Sequence, residues 1–174
     1  MHPYVARLLG LVGSKDHWNL LEATPGRLAD LRSEIGAPGL TVSFGPGKWS
    51  ARSVFAHLAD VEMAIGFRIR QTVAEDGHRI QAFDQDDWAR GYDATDAEVA
   101  VPAQAALRRW NLSFFRSLDA RQLSQSGLHP ERGEETVDRM IRMLAGHDLN
   151  HLAQLEAIAS QVRRGSSSPE AETA

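Results

Sequence analysis

Apolar residues recur every three or four positions along most of the chain, which is the spacing of amphipathic helices. The clearest stripe follows Trp49-Ser50, where Ser50 is a suitable N-cap, and it runs to about residue 74. A second long stripe runs from about Thr136 to Arg164 and ends in the basic residues and glycine typical of a helix C-terminus. A third helix is predicted from Pro102 to Leu118, with an inward face formed by Leu107, Trp110, Phe114 and Leu118.

The N-terminal third shows a more broken pattern. Short helical stretches are predicted over residues 3–12 and 16–23, and Thr24-Pro25 then predicts a new helix, with a threonine cap and a proline in the first turn. Gly36 and Pro38 are expected to end that helix. Loops are predicted over residues 36–48, 75–101 and 119–135.

These elements predict a single domain of the all-α class. Four principal helices with loops between them are typical of a bundle, and alternating β-branched runs are not found. The chain of 174 residues is long enough for one full core and short for two. We therefore predict one bundle over residues 1–164 and a disordered tail rich in Ser, Pro and Glu over residues 165–174.

Composition narrows the possible functions. The net charge is −4 and the charges are interspersed, so no basic surface for nucleic acid is expected. No segment approaches the roughly 18 apolar residues that span a membrane, and the N-terminus lacks a signal-peptide pattern, so we expect a cytoplasmic protein. The chain has no cysteine, so any thiol chemistry would need a small-molecule thiol.

Three histidines occupy the predicted apolar faces. His147 and His151 are four residues apart, so they project from adjacent turns of the last helix, and His57 lies on the face of the helix after Ser50. Two imidazoles from one helix and one from a facing helix would bind one divalent metal ion. Three protein ligands leave a position open for water or substrate, which is the catalytic pattern.

Other interpretations of these histidines stay open. A pair at spacing four also arises by chance, and core histidines that bond to neighbouring groups have the same pattern. Imidazole nitrogen favours Zn²⁺ or Ni²⁺, with Fe²⁺ or Mn²⁺ as alternatives. Asp60 and Asp148 lie close to the histidines in sequence and are candidates to orient them, or are simply solvated. Asp84 and Trp88 lie in a long loop that would cover the cavity or merely connect two helices.

The same residues carry a family resemblance. The run from Gly47-Lys48-Trp49-Ser50 to His57-Leu58-Ala59-Asp60 resembles the second-helix motif of the DinB/YfiT-like superfamily, and Gly146 to Leu155 resembles its last helix. The segments His129-Pro130 to Gly133 and Thr136-Val137 belong to this last-helix resemblance, whereas Thr24-Pro25 and Phe83 to Ala89 are similar to less specific positions. The likeness covers roughly residues 18–160.

This resemblance implies a four-helix bundle of up-down-down-up topology, commonly a homodimer, with a metal held by His57, His147 and His151. Relatives of this kind include thiol-dependent S-transferases and a mycothiol-dependent maleylpyruvate isomerase. Our leading hypothesis is therefore a metal-dependent transferase that activates a low-molecular-weight thiol. A hydrolase that uses metal-activated water is the first alternative, and a non-catalytic metal- or ligand-binding protein is the second. The expected partner is a small-molecule substrate, without nucleic acid or membrane.

Overall fold

The structure is a computed structural model that describes residues 1–166. Seven α-helices and three short strands occur in this part of the chain. They are α1 (Pro3–Val12), α2 (His17–Gly39), α3 (Ala51–Ala74), β1 (His78–Arg79), α4 (Gln85–Ala89), α5 (Ala97–Phe115), α6 (Ala120–Ser124), β2 (Ser126–His129), β3 (Gly133–Thr136) and α7 (Val137–Ser166). A short 3₁₀ turn at Tyr92–Ala94 precedes α5.

Helices α2, α3, α5 and α7 form the bundle, and their polar contacts give the helix directions. Contacts between α3 and α5 advance along both helices, from Glu62–Arg108 to Arg70–Asn111, so these two helices are parallel. Contacts between α2 and α7 also advance together, from Thr24–Asp148 to Glu34–Arg163.

Helices α2 and α5 run in opposite directions. Leu21 contacts Arg108, whereas Arg32, which is further along α2, pairs with Glu98 near the start of α5. The directions are therefore up for α2, down for α3 and α5, and up for α7. This is the predicted up-down-down-up topology.

Helix α1 lies against α7 outside the four-helix core. Leu8 of α1 is buried, and a Cβ atom at Gly146 of α7 would overlap the Leu8 carbonyl, so the two backbones are in direct contact. The close approach requires glycine at this position, one residue before His147. Helix α1 therefore restrains the segment of α7 that carries the candidate ligands.

Helix α2 corrects the predicted start at Thr24-Pro25. The helix begins after Asp16, whose carboxylate accepts from two backbone N–H groups, and it continues through the proline. Pro25 has no N–H to donate to the carbonyl of Leu21, one turn earlier. That carbonyl instead accepts a hydrogen bond of 2.8 Å from Arg108 Nη1. The proline is tolerated because a side chain from α5 replaces the missing donor.

Helix α5 corrects both the predicted start and the predicted inward face. It begins at Ala97 behind an Asp96 cap, five residues before Pro102. Trp110, which was expected inside, is 66% exposed. Three of its eight buried residues are polar, namely Gln104, Arg108 and Asn111, and the others are Ala97, Ala100, Val101, Leu112 and Phe115. Phe114 and Leu118, which were also expected inside, are partly buried against the core. The prediction is therefore wrong for Trp110, and it missed Arg108, which is buried because it forms ion pairs.

The predicted loops contain regular structure. Residues 119–135 form α6 and a hairpin of β2 and β3, and β1 extends this sheet in parallel with β2. These strands have two to four residues each, and β2 and β3 contain glycine, so no alternating pattern marked them. Helix α4 lies inside the predicted loop of residues 75–101.

The C-terminal end of α7 lies slightly beyond its predicted position. The helix continues through Ser166, two residues past Arg164. The rest of the predicted tail, residues 167–174, lies outside the described residues. None of the helices within residues 1–166 is long and apolar enough to cross a membrane.

Candidate metal centre

The three predicted histidines meet inside the bundle. His57 on α3 is 1% exposed, and His147 and His151 on α7 are each 7% exposed. One nitrogen from each ring lies within 4.8 Å of the others, and the Nε2 atoms of His57 and His147 are 3.0 Å apart. The antiparallel packing of α3 on α7 brings them together. Three imidazole nitrogens around one point match the donor set of a divalent transition metal.

The outer nitrogen atoms of the rings have different surroundings. His151 Nδ1 lies 2.8 Å from Gln154 Oε1, which can only accept, so Nδ1 carries the proton and Nε2 presents its lone pair. The Nδ1 atoms of His57 and His147 are buried and have no hydrogen-bond partner within residues 1–166. Gln154 is thus the residue that orients a ligand of this cluster, and the sequence analysis missed it.

The two carboxylates proposed to orient the histidines have other partners. Asp60 accepts a hydrogen bond of 2.7 Å from the Tyr92 hydroxyl. Asp148 accepts from Arg108 and from the Thr24 hydroxyl, at 2.7 and 2.9 Å. The predicted carboxylate–imidazole bonds are therefore wrong for both residues. Asp148 directly follows His147, so it projects from another side of α7. Asp60 is three residues after His57 on a neighbouring part of the same face, but the Tyr92 hydroxyl occupies its carboxylate.

Burial keeps the cluster neutral. Removal from water lowers the pKa of His57 to about 3, with a further contribution from His151. Burial likewise lowers the pKa of His147 well below its ordinary value and, less strongly, that of His151. At neutral pH the rings carry no charge, so their lone pairs are free to bind a cation without first losing a proton.

These pKa shifts predict that acid destabilises the metal-free protein. An unfolded histidine takes up a proton below about pH 6.5, whereas the buried rings resist protonation, so stability is lost as the pH falls. Between pH 7.5 and 5.0 we expect each strongly shifted ring to remove about 2 kcal/mol from the free energy of unfolding. Urea unfolding at the two pH values measures this loss. His57→Gln should reduce it, and His2→Gln, at an exposed position, should not.

Two aromatic side chains pack against the histidines. The Trp49 ring lies 4.7 Å from that of His57 and is nearly parallel to that of His151 at 6.3 Å. The Tyr92 ring lies 6.4 Å from that of His57. Trp49 was predicted only as the residue before the Ser50 cap and as part of the family motif, and Tyr92 was not singled out from the sequence. Both rings restrict the rotation of the imidazoles.

A cavity of about 580 Å³ adjoins the cluster, and His57 and His147 line it. Apolar side chains, among them Val61, Met140 and Leu144, form part of its wall. Asp84 also lines the cavity and caps α4 by accepting from two backbone N–H groups. Trp88 stacks on Phe83, with ring centroids 4.4 Å apart, and this contact places Phe83 in the wall.

The cavity wall also contains polar residues to which the sequence analysis gave no role. They include His2, Tyr4, Arg68, His129, Arg132 and Glu135. His129 is buried, although the sequence placed it in a loop. The sequence did contain one indication of this polar wall, because Arg68 is a charged residue within the apolar stripe of α3.

A buried charge network lies behind the cluster. Arg108, which is 1% exposed, donates to the carboxylates of Glu62 and Asp148. Asn111 also donates to Glu62, at 3.0 Å. Burial raises the pKa of the Glu62 carboxyl, and the charge of Arg108 opposes this shift. The network links α3, α5 and α7, and its member on α7 is Asp148, the residue that follows His147.

The fold and the site define a class of protein, namely a four-helix bundle with a buried three-histidine cluster beside a cavity. Residues 20–155 match the DinB superfamily. The chain belongs to this superfamily, as its sequence resemblance implied.

Curated relatives and a solved structure agree with this assignment. The chain is 27% identical over 144 residues to "Putative metal-dependent hydrolase OB0782" of Oceanobacillus iheyensis, covering 82% of this chain and 84% of the relative. It is 24% identical over 156 residues to "Putative metal-dependent hydrolase YfiT" of Bacillus subtilis, covering 85% of each. The solved structure of YfiT, described as a four-helix bundle of unusual topology, matches with a TM-score of 0.79 at 21% identity, over 87% of both chains. This match confirms the predicted bundle.

Proposed function

We propose that this protein is a metal-dependent hydrolase that acts on a small molecule bound in the cavity. The observation that carries the proposal is the cluster of three buried imidazoles, two of which line the cavity wall. The names of the relatives support the same reaction class. Hydrolysis was the first alternative to thiol transfer in the sequence analysis, and these names favour it.

In this proposal the three histidines bind the metal, and the residues around them have supporting roles. His57, His147 and His151 would hold one divalent ion, for which imidazole nitrogen suits Zn²⁺ or Ni²⁺, with Fe²⁺ or Mn²⁺ as alternatives. When bound, the ion supplies Lewis-acid activation of a water or a thiol. Gln154 Oε1 accepts a hydrogen bond from Nδ1 of His151 and so keeps Nε2 of that ring directed inward. The apolar wall binds the carbon skeleton of the substrate.

A metal-removal experiment tests the proposed reaction. Protein purified without a histidine tag is assayed against small esters, amides and lactones, before and after chelation and after Zn²⁺ or Ni²⁺ is added back. We expect chelation to lower kcat/KM by at least about a hundredfold and the metal to restore it. His151→Ala should behave like the chelated protein, whereas His78→Gln, outside the cluster, should behave like the wild type.

The same assay separates hydrolysis from the other hypotheses. If product forms only when a low-molecular-weight thiol is added, the reaction is thiol transfer and the hydrolase proposal is wrong. If no substrate turns over and chelation unfolds the protein, the metal has a structural role. The homodimer implied by the resemblance stays a prediction, as does the absence of nucleic-acid and membrane partners.

A further inference from the structure

One buried arginine in the cavity wall lacks a counter-ion. Arg68 on α3 is 8% exposed, yet no carboxylate lies within 4.0 Å of it among residues 1–166. Its one hydrogen bond there is a long contact of 3.3 Å from Nη2 to the Gln81 carbonyl. The guanidinium also lies 5.9 Å from the centre of the Phe83 ring.

The contrast with the other arginines makes this position unusual. Arg108, which is still more deeply buried, pairs with two carboxylates. Arg132, also in the cavity wall, forms a two-point ion pair with Glu135, at 2.6 and 2.9 Å. A buried charge without a partner is costly, so proteins normally provide one. The guanidinium of Arg68 instead faces a space large enough for a ligand.

A second donor lines the same cavity. His129 is 3% exposed, and its Nδ1 accepts from the backbone N–H groups of Glu131 and Arg132, at 3.2 and 3.3 Å. The proton of the neutral ring therefore lies on Nε2, which has no acceptor within the described residues. Burial and the nearby Arg132 keep the ring neutral by lowering its pKa to about 4.

The charges on the less exposed residues of the wall favour an anion. Arg68 and Arg132 contribute two positive charges, and Glu135 contributes one negative charge, so this part of the wall is net positive. Three further carboxylates line the cavity, those of Asp84, Asp86 and Glu131, and they belong to exposed residues, where water weakens their field. Of these, Glu131 lies near enough to His129 to oppose the lowering of its pKa.

We propose that Arg68, together with the N–H of His129, binds an oxyanion of the substrate, either a carboxylate or a phosphate-type group. This inference rests on the proposed function, because it names the substrate class of that cavity. His57 and Arg68 are eleven residues apart on α3, about 16 Å along the helix axis. The anion therefore binds at a subsite separate from the three histidines, and the hydrolysed bond lies toward the other end of the molecule.

Calorimetric titration of the metal-free protein tests this subsite. The probes are phenylacetate, phenylphosphonate and the neutral phenylacetamide, whose ring suits the apolar wall. We expect at least one anion to bind about tenfold or more tightly than the amide, as charge-assisted hydrogen bonds do. The better of the two anions identifies the oxyanion class. Equal binding of all three probes would overturn the proposal.

Variants assign the effect to Arg68. Arg68→Met should remove the preference for anions, and Arg68→Lys should retain part of it, which shows that the charge and not the fold is responsible. Arg90→Met is the matched control, since that side chain is 81% exposed. Circular dichroism confirms that each variant is folded. Retention of the preference by folded Arg68→Met would contradict the proposal.

One further variant separates this inference from the hydrolase proposal. His147→Ala removes a candidate metal ligand but leaves Arg68 and His129 in place, so its preference for anions should equal that of the wild type. A protein that prefers anions but hydrolyses nothing would contradict only the proposed function. A metal-dependent hydrolase with no such preference would contradict only the anion subsite.

Discussion

Replacing His147 with alanine is expected to abolish tight binding of one Zn²⁺ per chain while the helical fold is retained. The substitution leaves two imidazoles, which is fewer than the three ligands of typical catalytic sites. We expect the dissociation constant to rise by more than about a hundredfold, beyond the effect of losing a residue that only orients a ligand. Calorimetry and elemental analysis on protein without a histidine tag measure the loss, and circular dichroism monitors the fold.

A second buried histidine provides the control for this experiment. His17 is 8% exposed but lies outside the three-histidine cluster. His17→Ala should therefore bind Zn²⁺ as tightly as the wild type, although it removes a side chain of the same size. If His147→Ala still binds one Zn²⁺ with unchanged affinity, the ion is held elsewhere and the proposed centre is wrong.

Among the substitutions proposed for this protein, replacing Arg108 with methionine is expected to lower the free energy of unfolding the most. The change leaves the buried carboxylates of Glu62 and Asp148 without their cation and frees the Leu21 carbonyl. Breaking a buried ion pair by removing one partner costs about 3–5 kcal/mol. Urea unfolding at pH 7.5 measures this free energy. An unchanged dependence of the free energy on urea concentration would confirm two-state behaviour.

The neighbouring arginine and one double variant complete this test. Arg109 is exposed on the same helix, so Arg109→Met should change the free energy of unfolding by no more than about 0.5 kcal/mol. Adding Glu62→Gln to Arg108→Met should recover part of the loss, because it removes one unpaired charge. A single Arg108→Met variant as stable as the wild type would show that the network does not stabilise the bundle.

The sequence predicted those features that depend on local periodicity. Burial against neighbouring helices requires an apolar stripe, so the cores of α3 and α7 could be recognised directly. The His147–His151 spacing is a property of one helix, and His57 lies on the stripe of another, so the cluster was also predictable. Its partners were not predictable in the same way. Tyr92 takes its role from packing between separate elements, which residue spacing alone does not encode. Gln154 lies three residues after His151 on the same helix, and this spacing permits the contact without singling it out from other polar residues.

The errors in the sequence analysis arose where tertiary contacts outweigh local signals. Pro25 marked a helix start, yet a donor from α5 satisfies the carbonyl that the proline leaves free. The apolar residues of α5 indicated one face, yet Arg108 is buried on another because two carboxylates on α3 and α7 neutralise it. The short strands near α7 carry no alternating pattern because each has at most four residues.

The contact between α1 and α7 has an evolutionary consequence for substrate choice. The family match starts at residue 20, but His2, Tyr4 and Leu8, which precede it, line the cavity. Members of the superfamily can therefore share the histidine-bearing helices and still differ in the segment that closes one side of the cavity. We expect exchange of residues 1–15 between relatives to alter which compounds are accepted, while the chemistry at the histidines stays the same.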